Sequence, residues 1–220
     1  MKSGAGSHYP SARIAIFLRE PVPGETKTRL IPALGADGAA ALYRAMAERI
    51  TGGIAHAGLA DIALWVSSNP HNEWFLTLCN KTKIYLQQGN ELGQRMEHCV
   101  TTMLSQAAVE SVVLVGSDCP VLGPGYLQAA LDHLDTGAEV VFGPAEDGGY
   151  VLLGLRRVIP ELFRNIEWGT ERVLKQSLAQ LRPLGLRVEC LEELWDVDTA
   201  ADLPRLSTLE PPLEPPLVWG

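Results

Sequence analysis

The 220-residue chain holds four cysteines, at positions 79, 99, 119 and 190, too widely spaced for a metal finger or a disulfide framework. Scattered cysteines suit a reducing compartment, so the cytoplasm is the expected location. Residues 1–8 lack the apolar core of a signal peptide, and no apolar run approaches the length of a membrane span. A basic excess is missing too: 18 Lys and Arg face 26 Asp and Glu, a net charge of -8. That balance excludes sequence-independent nucleic-acid binding, which needs a basic face. It leaves room for a small anionic ligand, which needs only a local cluster of cations. Nucleophile signatures are absent as well. There is no Gly-x-Ser-x-Gly elbow, and the histidines show no ligand spacing. Cys99 adjoins His98, but neighbours in a helix point to different sides, which argues against a thiol nucleophile.

What is present reads as one globular domain. Hydrophobic residues make up 46% of the chain and charged residues 20%, ordinary for a folded protein large enough to bury a core. The most informative stretch is Val112-Val113-Leu114-Val115-Gly116-Ser117-Asp118-Cys119-Pro120. Continuous aliphatic residues predict a strand buried on both faces, with the Asp118 carboxylate at its C-terminal tip. Further strands are expected at 12–18, 61–67, 83–87, 139–142, 150–155 and 186–190. Helical spacing joins Ala39, Leu42, Tyr43, Met46 and Ile50 from about residue 37, and marks 92–104 and 126–134. Thr170 reads as the N-cap of a helix carrying Val173, Leu174, Leu178 and Leu181, and Thr199 opens a last helix. This alternation predicts a three-layer α/β/α domain on a mostly parallel sheet. The expected boundaries are a disordered 1–11, a single domain over 12–208, and a Pro-rich, extended tail over 209–220.

Three loops carry candidate chemistry. The first, Pro23-Gly24-Glu25-Thr26-Lys27-Thr28-Arg29-Leu30, follows the first strand. Its backbone N–H groups, hydroxyls and two cations can hold phosphate, Lys27 as a point charge and Arg29 as a planar fork. It is not a P-loop: Thr26 stands where glycine would precede the lysine. The second, Glu146-Asp147-Gly148-Gly149-Tyr150, reads either as an ordinary turn or as a ligand loop. In the latter case Gly148 and Gly149 allow close backbone approach, and Asp147 serves as a base or binds a substrate hydroxyl. In the third, Asp196-Val197-Asp198-Thr199, the two aspartates share one face of an extended segment, and one of them could complete a metal site with Asp118. Asp202 is assigned to a capping box with Thr199. Gly93 and Arg95 follow the third strand and could face a base or phosphate, or equally be only a turn and a solvated arginine; Trp168 and Thr170 could pack on a substrate or simply form a helix entrance.

Taken in order, 17–30, 92–96 (Leu-Gly-Gln-Arg-Met), 116–120, 146–150, Trp168-Gly169-Thr170 and 196–199 resemble the bacterial radical-SAM/selenodomain-associated transferases, often labelled glycosyltransferases. The resemblance spans about 12–206. It implies the Rossmann-like GT-A, or nucleotide-diphospho-sugar transferase, fold. Lys27-Thr28-Arg29-Leu30 is similar to a loop of phospholactate guanylyltransferases. Asp118 matches the aspartate that sugar-activating and molybdopterin nucleotidyltransferases place after their fourth strand, and Asp198 matches one before a helix start. The chain departs from the Gly-Gly-x-Ser-x-Arg-Met-Gly opening of those enzymes, and from the Asp-x-Asp of metal-dependent GT-A glycosyltransferases at 116–118.

The resemblance implies a Mg²⁺ (or Mn²⁺) dependent transferase that uses a nucleotide and a small-molecule acceptor. The leading expectation is nucleotidyl transfer with release of pyrophosphate. In it Lys27, Arg29 and Asp147 are catalytic, and Asp118 and Asp198 hold the metal. Pro23, Gly24, Lys27, Thr28, Arg29, Gly93, Arg95 and Ser117 bind the nucleotide, and Gly148, Gly149, Tyr150, Trp168 and Thr170 bind the substrate. The alternatives are a glycosyltransferase using a nucleotide sugar, and a catalytically silent nucleotide-binding or partner protein engaged through the tail.

Overall fold

A computed structural model describes residues 8–78 and 82–214. Cys79, most of the expected N-terminal segment and the end of the tail lie outside the described residues. The elements run β1 (Ala12–Leu18), α1 (Ile31–Ala57), β2 (Asp61–Val66), α2 (Glu73–Leu78), β3 (Lys83–Leu86), α3 (Leu92–Leu104), β4 (Ser111–Val115), α4 (Pro124–Asp135), β5 (Val140–Pro144), β6 (Tyr150–Leu155), α5 (Val173–Leu181) and β7 (Val188–Cys190), then a 3₁₀ helix, Ala200–Thr208. The strands form one seven-stranded sheet in the order β3-β2-β1-β4-β6-β5-β7. β6 is antiparallel to β4 and β5, and the other pairings are parallel.

Alternation along the strands separates two cores, because successive side chains leave a strand on opposite faces. Ile14, Ile16, Val113 and Val115 meet Tyr43, Ala47 and Ile50 of α1 and Leu127 and Leu131 of α4. Ala15, Trp65, Val112 and Leu114 meet Met96, Val100 and Met103 of α3. Every residue of β4 is buried, as a central strand covered on both faces requires. A third apolar cluster joins Leu34, Leu42 and Met46 of α1 to Val197, Leu206 and Leu209, which fastens the C-terminal segment beside the sheet edge.

The parallel strands put the loops after β1, β2, β3, β4 and β5 at one edge, and the antiparallel β6 starts there. The fold is the one expected, with differences in detail. α1 begins at Ile31, six residues ahead of the helical pattern, because Gly35 (φ 69, ψ 170) breaks the helix and hides its first turn. α2 was not anticipated; six residues are too few to display a period, although Trp74 and Phe75 are buried. Arg172, not Thr170, occupies the N-cap of α5; Thr170 Oγ1 accepts from Arg172 N at 3.3 Å and donates to Glu167 O at 2.8 Å, forming a turn before the helix. The last helix is 3₁₀ and contains Pro204, which has no N–H to give.

Both ends of the described chain lie against the body. Tyr9, inside the segment expected to be disordered, donates its hydroxyl to Asp132 Oδ1 at 2.6 Å and its N–H to Leu59 O at 2.8 Å. Arg49 donates to Pro211 O and Glu210 O, both at 2.8 Å, while Leu209 is buried and Leu213 packs beside it. The first residues of the tail are therefore docked rather than projecting.

Candidate active site

The loop after β1 is fixed by a buried hydroxyl. Thr26 is 1% exposed; its Oγ1 donates to Glu20 O at 2.9 Å and accepts from Val22 N at 3.3 Å. Lys27 then adopts a left-handed backbone (φ 50), uncommon for a residue with a Cβ. The chain turns into a 3₁₀ turn, Thr28–Leu30, whose Leu30 is fully buried. The result separates the two cations. The Lys27 side chain is 10% exposed and points into the site, whereas that of Arg29 is 72% exposed at its rim.

Lys27 Nζ lies 3.2 Å from Asp118 Oδ2 and 2.7 Å from Asp198 Oδ1. Arg29 Nη1 is 3.7 Å from Asp198 Oδ2. Burial opposes the charge on Lys27, but the attraction of Asp118 and then Asp198 outweighs it and holds the ammonium above its ordinary pKa. These contacts join residues 91 and 171 positions apart, so the site exists only in the folded chain.

Each carboxylate is positioned by its own element. Asp118 follows β4, where a Cβ at Gly116 would come within 2.9 Å of Asp118 Oδ1, so the carboxylate uses space that only glycine leaves. Ser117 is buried; its Oγ hydrogen-bonds Tyr43 OH at 2.9 Å, and the same hydroxyl accepts from Arg19 N at 2.9 Å. Val197 N donates to Asp118 O at 3.0 Å. Val197 is fully buried, so the alternation of an extended segment sends Asp196 and Asp198 together toward the cleft. Asp202 Oδ2 accepts from Thr199 N at 2.7 Å and Asp198 N at 3.1 Å. The capping box is present, and it also holds the backbone of Asp198.

Oxygens of Asp118, Asp196 and Asp198 all lie within 4.8 Å of one another. Burial, then the negative charges of Asp118, Asp198 and Asp147, push the Asp196 carboxyl up to about 7; Lys27 offsets part of this. Crowded carboxylate oxygens, already attracting one cation, suit a hard divalent ion. Asp196 was read only as an alternative to Asp198; the period-two signal that identified the pair placed both.

These groups line a cleft of about 640 Å³ at the carboxyl edge. It brings together Lys27, Thr28, Arg29, Arg95, Ser117, Asp118, Asp147, Gly149, Tyr150, Trp168, Thr170, Asp196 and Asp198. Pro23, Gly24, Gly93 and Gly148 are not among its lining residues. Pro23 and Gly24 are exposed on the first loop. Gly93 is buried under Trp168: a Cβ there would sit 2.7 Å from Trp168 Nε1 and 2.8 Å from Phe163 O. Gly148 (φ 84) packs on the backbone of Glu171, where a Cβ would collide with the carbonyl. Both glycines thus support the wall instead of touching its contents.

Asp147 Oδ1 accepts from Gly149 N at 2.8 Å, so one oxygen serves its own turn. Arg95 is oriented by Nε donating to Gly89 O at 3.0 Å. Tyr150 and Trp168 meet edge to face with centroids 6.4 Å apart. Arg19, Tyr43 and Gln87 also line the cleft and were not anticipated. The positions of Arg19 and Gln87, directly after the first and third strands, carried a signal; Tyr43 matched the core pattern of α1 and hid its polar end.

Residues 51–170 match the family described as "Uncharacterized protein conserved in bacteria (DUF2064)". A crystal structure from Desulfovibrio desulfuricans, of a candidate nucleotide-diphospho-sugar transferase, is 34% identical over 86% of this chain and 83% of its own, with a TM-score of 0.80. CMP:2-keto-3-deoxy-manno-octonic acid synthetase, solved with CTP, shares the fold at 13% identity, covering 91% of this chain and 98% of its own with a TM-score of 0.57. Rv0371c of Mycobacterium tuberculosis, solved with manganese, does so at 14% identity, 89% and 97% coverage and a TM-score of 0.54. Among curated proteins, none matches. With more than half of its length matched by the family and a 34%-identical structural relative over most of the fold, the chain belongs to the bacterial DUF2064 family, within the nucleotide-diphospho-sugar transferase superfamily of transferases.

Proposed function

We propose that the protein is a divalent-metal-dependent nucleotidyltransferase, joining an NTP to a phosphate or hydroxyl acceptor and releasing pyrophosphate. The observation that carries this reading is the convergence of Lys27, Asp118 and Asp198 from three distant segments at the carboxyl edge of the sheet. Open α/β sheets bind their ligands at this edge. The solved synthetase named above holds CTP, which supports a nucleoside triphosphate on this fold.

In the proposed reaction an acceptor oxygen attacks the α-phosphorus, the bond to the β-phosphate oxygen breaks, and pyrophosphate leaves. Lys27 and Arg29 hold the phosphates and stabilise charge as it develops. Asp147, exposed at the cleft with one oxygen unspent on its turn, takes the acceptor proton. Asp118 and Asp198, with Asp196 beside them, would hold Mg²⁺ or Mn²⁺. A bound ion supplies charge neutralisation and fixes the phosphate chain. Arg95 supplies a cation for the remainder of the nucleotide, and Trp168 an aromatic surface for the acceptor. Soluble substrates at an open cleft suit the cytoplasm.

The test is a screen of the four NTPs with phosphorylated and hydroxylated acceptors for Mg²⁺-dependent pyrophosphate release. Lys27→Ala is expected to slow turnover by roughly tenfold to a thousandfold, as loss of a charge-assisted phosphate contact implies. A second reading, glycosyl transfer from a nucleotide sugar, is favoured by the name of the 34%-identical relative. Sugar-nucleotide turnover without pyrophosphate would select it.

A further inference from the structure

Lys27 occupies the position that the proposed reaction gives to a metal. Its ammonium is nine-tenths buried and bridges Asp118 and Asp198 at 3.2 and 2.7 Å. A divalent ion entering beside it would meet a positive charge within hydrogen-bonding distance of its own ligand oxygens. Either the ion binds weakly or the lysine moves.

We propose that Lys27 is the resident counter-ion of the site, competing with divalent cations for Asp118 and Asp198 until it is drawn away. This rests on the nucleotidyl-transfer reading only for the identity of the metal carboxylates. The competition follows from charge. Oxygens of the three aspartates lie within 4.8 Å of one another, and like charges so close repel strongly unless a cation joins them. Lys27 is the cation that joins Asp118 and Asp198; Arg29, at 3.7 Å and largely exposed, contributes less.

The geometry also says what can move. The backbone of Lys27 is held by buried neighbours, Thr26 at 1% and Leu30 at 0% exposure. Its four-carbon stem is flexible. Displacement therefore requires rotation of one side chain, with no opening of the loop. Saturating metal alone can displace the ammonium, but at a cost, since a buried charge without a partner is unfavourable. An anionic phosphate in the cleft lowers that cost by providing a new partner. Metal and phosphate binding become linked, and the linkage is reciprocal. A lysine of this kind both discourages idle metal binding and delivers its charge to the phosphates when they arrive.

The experiment uses Mn²⁺ alone and no substrate. Isothermal titration of MnCl₂ into Lys27→Met is expected to give at least tenfold tighter binding than into the parent, about 1.4 kcal/mol. Lys27→Arg, which keeps a cation, should bind no more tightly than the parent. Equal or weaker binding by a folded Lys27→Met would overturn the proposal. Should that variant fail to fold, the parent protein still decides. Amine acetylation read by peptide mass spectrometry should find Lys27 protected without metal and labelled faster at saturating Mn²⁺. The exposed Lys83 and Lys175 serve as internal standards. Unchanged or slower labelling of Lys27 would also overturn it. Pyrophosphate release with unchanged labelling would reject the counter-ion and leave the reaction standing. Labelling that rises with Mn²⁺, in a protein that releases no pyrophosphate from any NTP, would do the reverse.

Discussion

Gly148, behind the wall of the cleft, and Asp196, in its lining, are constrained by different physics. Gly148 combines a left-handed backbone (φ 84) with a packed carbonyl at Glu171 where a Cβ would lie. Gly148→Ala is expected to destabilise the fold by about 1–3 kcal/mol, through backbone strain plus overpacking; urea unfolding would measure it. Asp196 is constrained by charge. Its folded carboxyl is pushed up to about 7, first by burial and then by its carboxylate neighbours. With the folded value above the unfolded one, the native state binds more protons between about pH 4 and 7, and stability falls as pH rises through that window. In chelator, the metal-free protein should melt lower at pH 8 than at pH 5.5. Asp196→Asn should reduce that difference, and an undiminished pH dependence in the variant would contradict the assignment. The described cysteines behave differently again. Burial holds Cys119 up at about 12 and Cys99 well above its ordinary value, while Cys190 is exposed. At pH 8 a thiol reagent should label Cys190 in the native protein and reach Cys99 and Cys119 only on unfolding.

At the scale of elements, the capping box connects stability to the site. Asp202 accepts from Thr199 N and also from Asp198 N. Asp202→Ala is therefore expected to cost about 1 kcal/mol and to weaken Mn²⁺ binding severalfold, because Asp198 loses its support. A stability loss with unchanged Mn²⁺ affinity would show the cap to be structural only. Such elements also show what was legible before the structure. β1, apolar apart from Arg13, and β4, apolar after Ser111, could be read almost residue for residue, as could the Thr199–Asp202 box. Lys27, Asp118, Asp147 and Asp198 could be placed at one edge because each follows, or lies near, a strand end. What stayed hidden depends on tertiary packing. Gly93 and Gly148 resembled ligand loops, yet their lack of a Cβ makes room for Trp168 and for the backbone of Glu171. The Lys27 bridge was invisible because a loop carrying two cations does not reveal which one turns inward; the left-handed backbone at Lys27 decides it.

At the scale of the whole molecule, a chain of net charge -8 gathers Arg19, Lys27, Arg29 and Arg95 around one cleft. The same cleft is lined by Glu25, Asp118, Asp147, Asp196 and Asp198, so its cations stand among carboxylates and the proposed phosphate ligand would meet charges of both signs. The central claim is that Asp118, Asp196 and Asp198 hold a divalent ion while Lys27 serves the phosphates. Anomalous diffraction from crystals grown with Mn²⁺ and a non-hydrolysable NTP tests it most directly. The account predicts a manganese peak among these three carboxylates, the triphosphate alongside, and Lys27 Nζ on a phosphate oxygen. A peak elsewhere, or a nucleotide bound in the cleft while Lys27 still bridges Asp118 and Asp198, would contradict it.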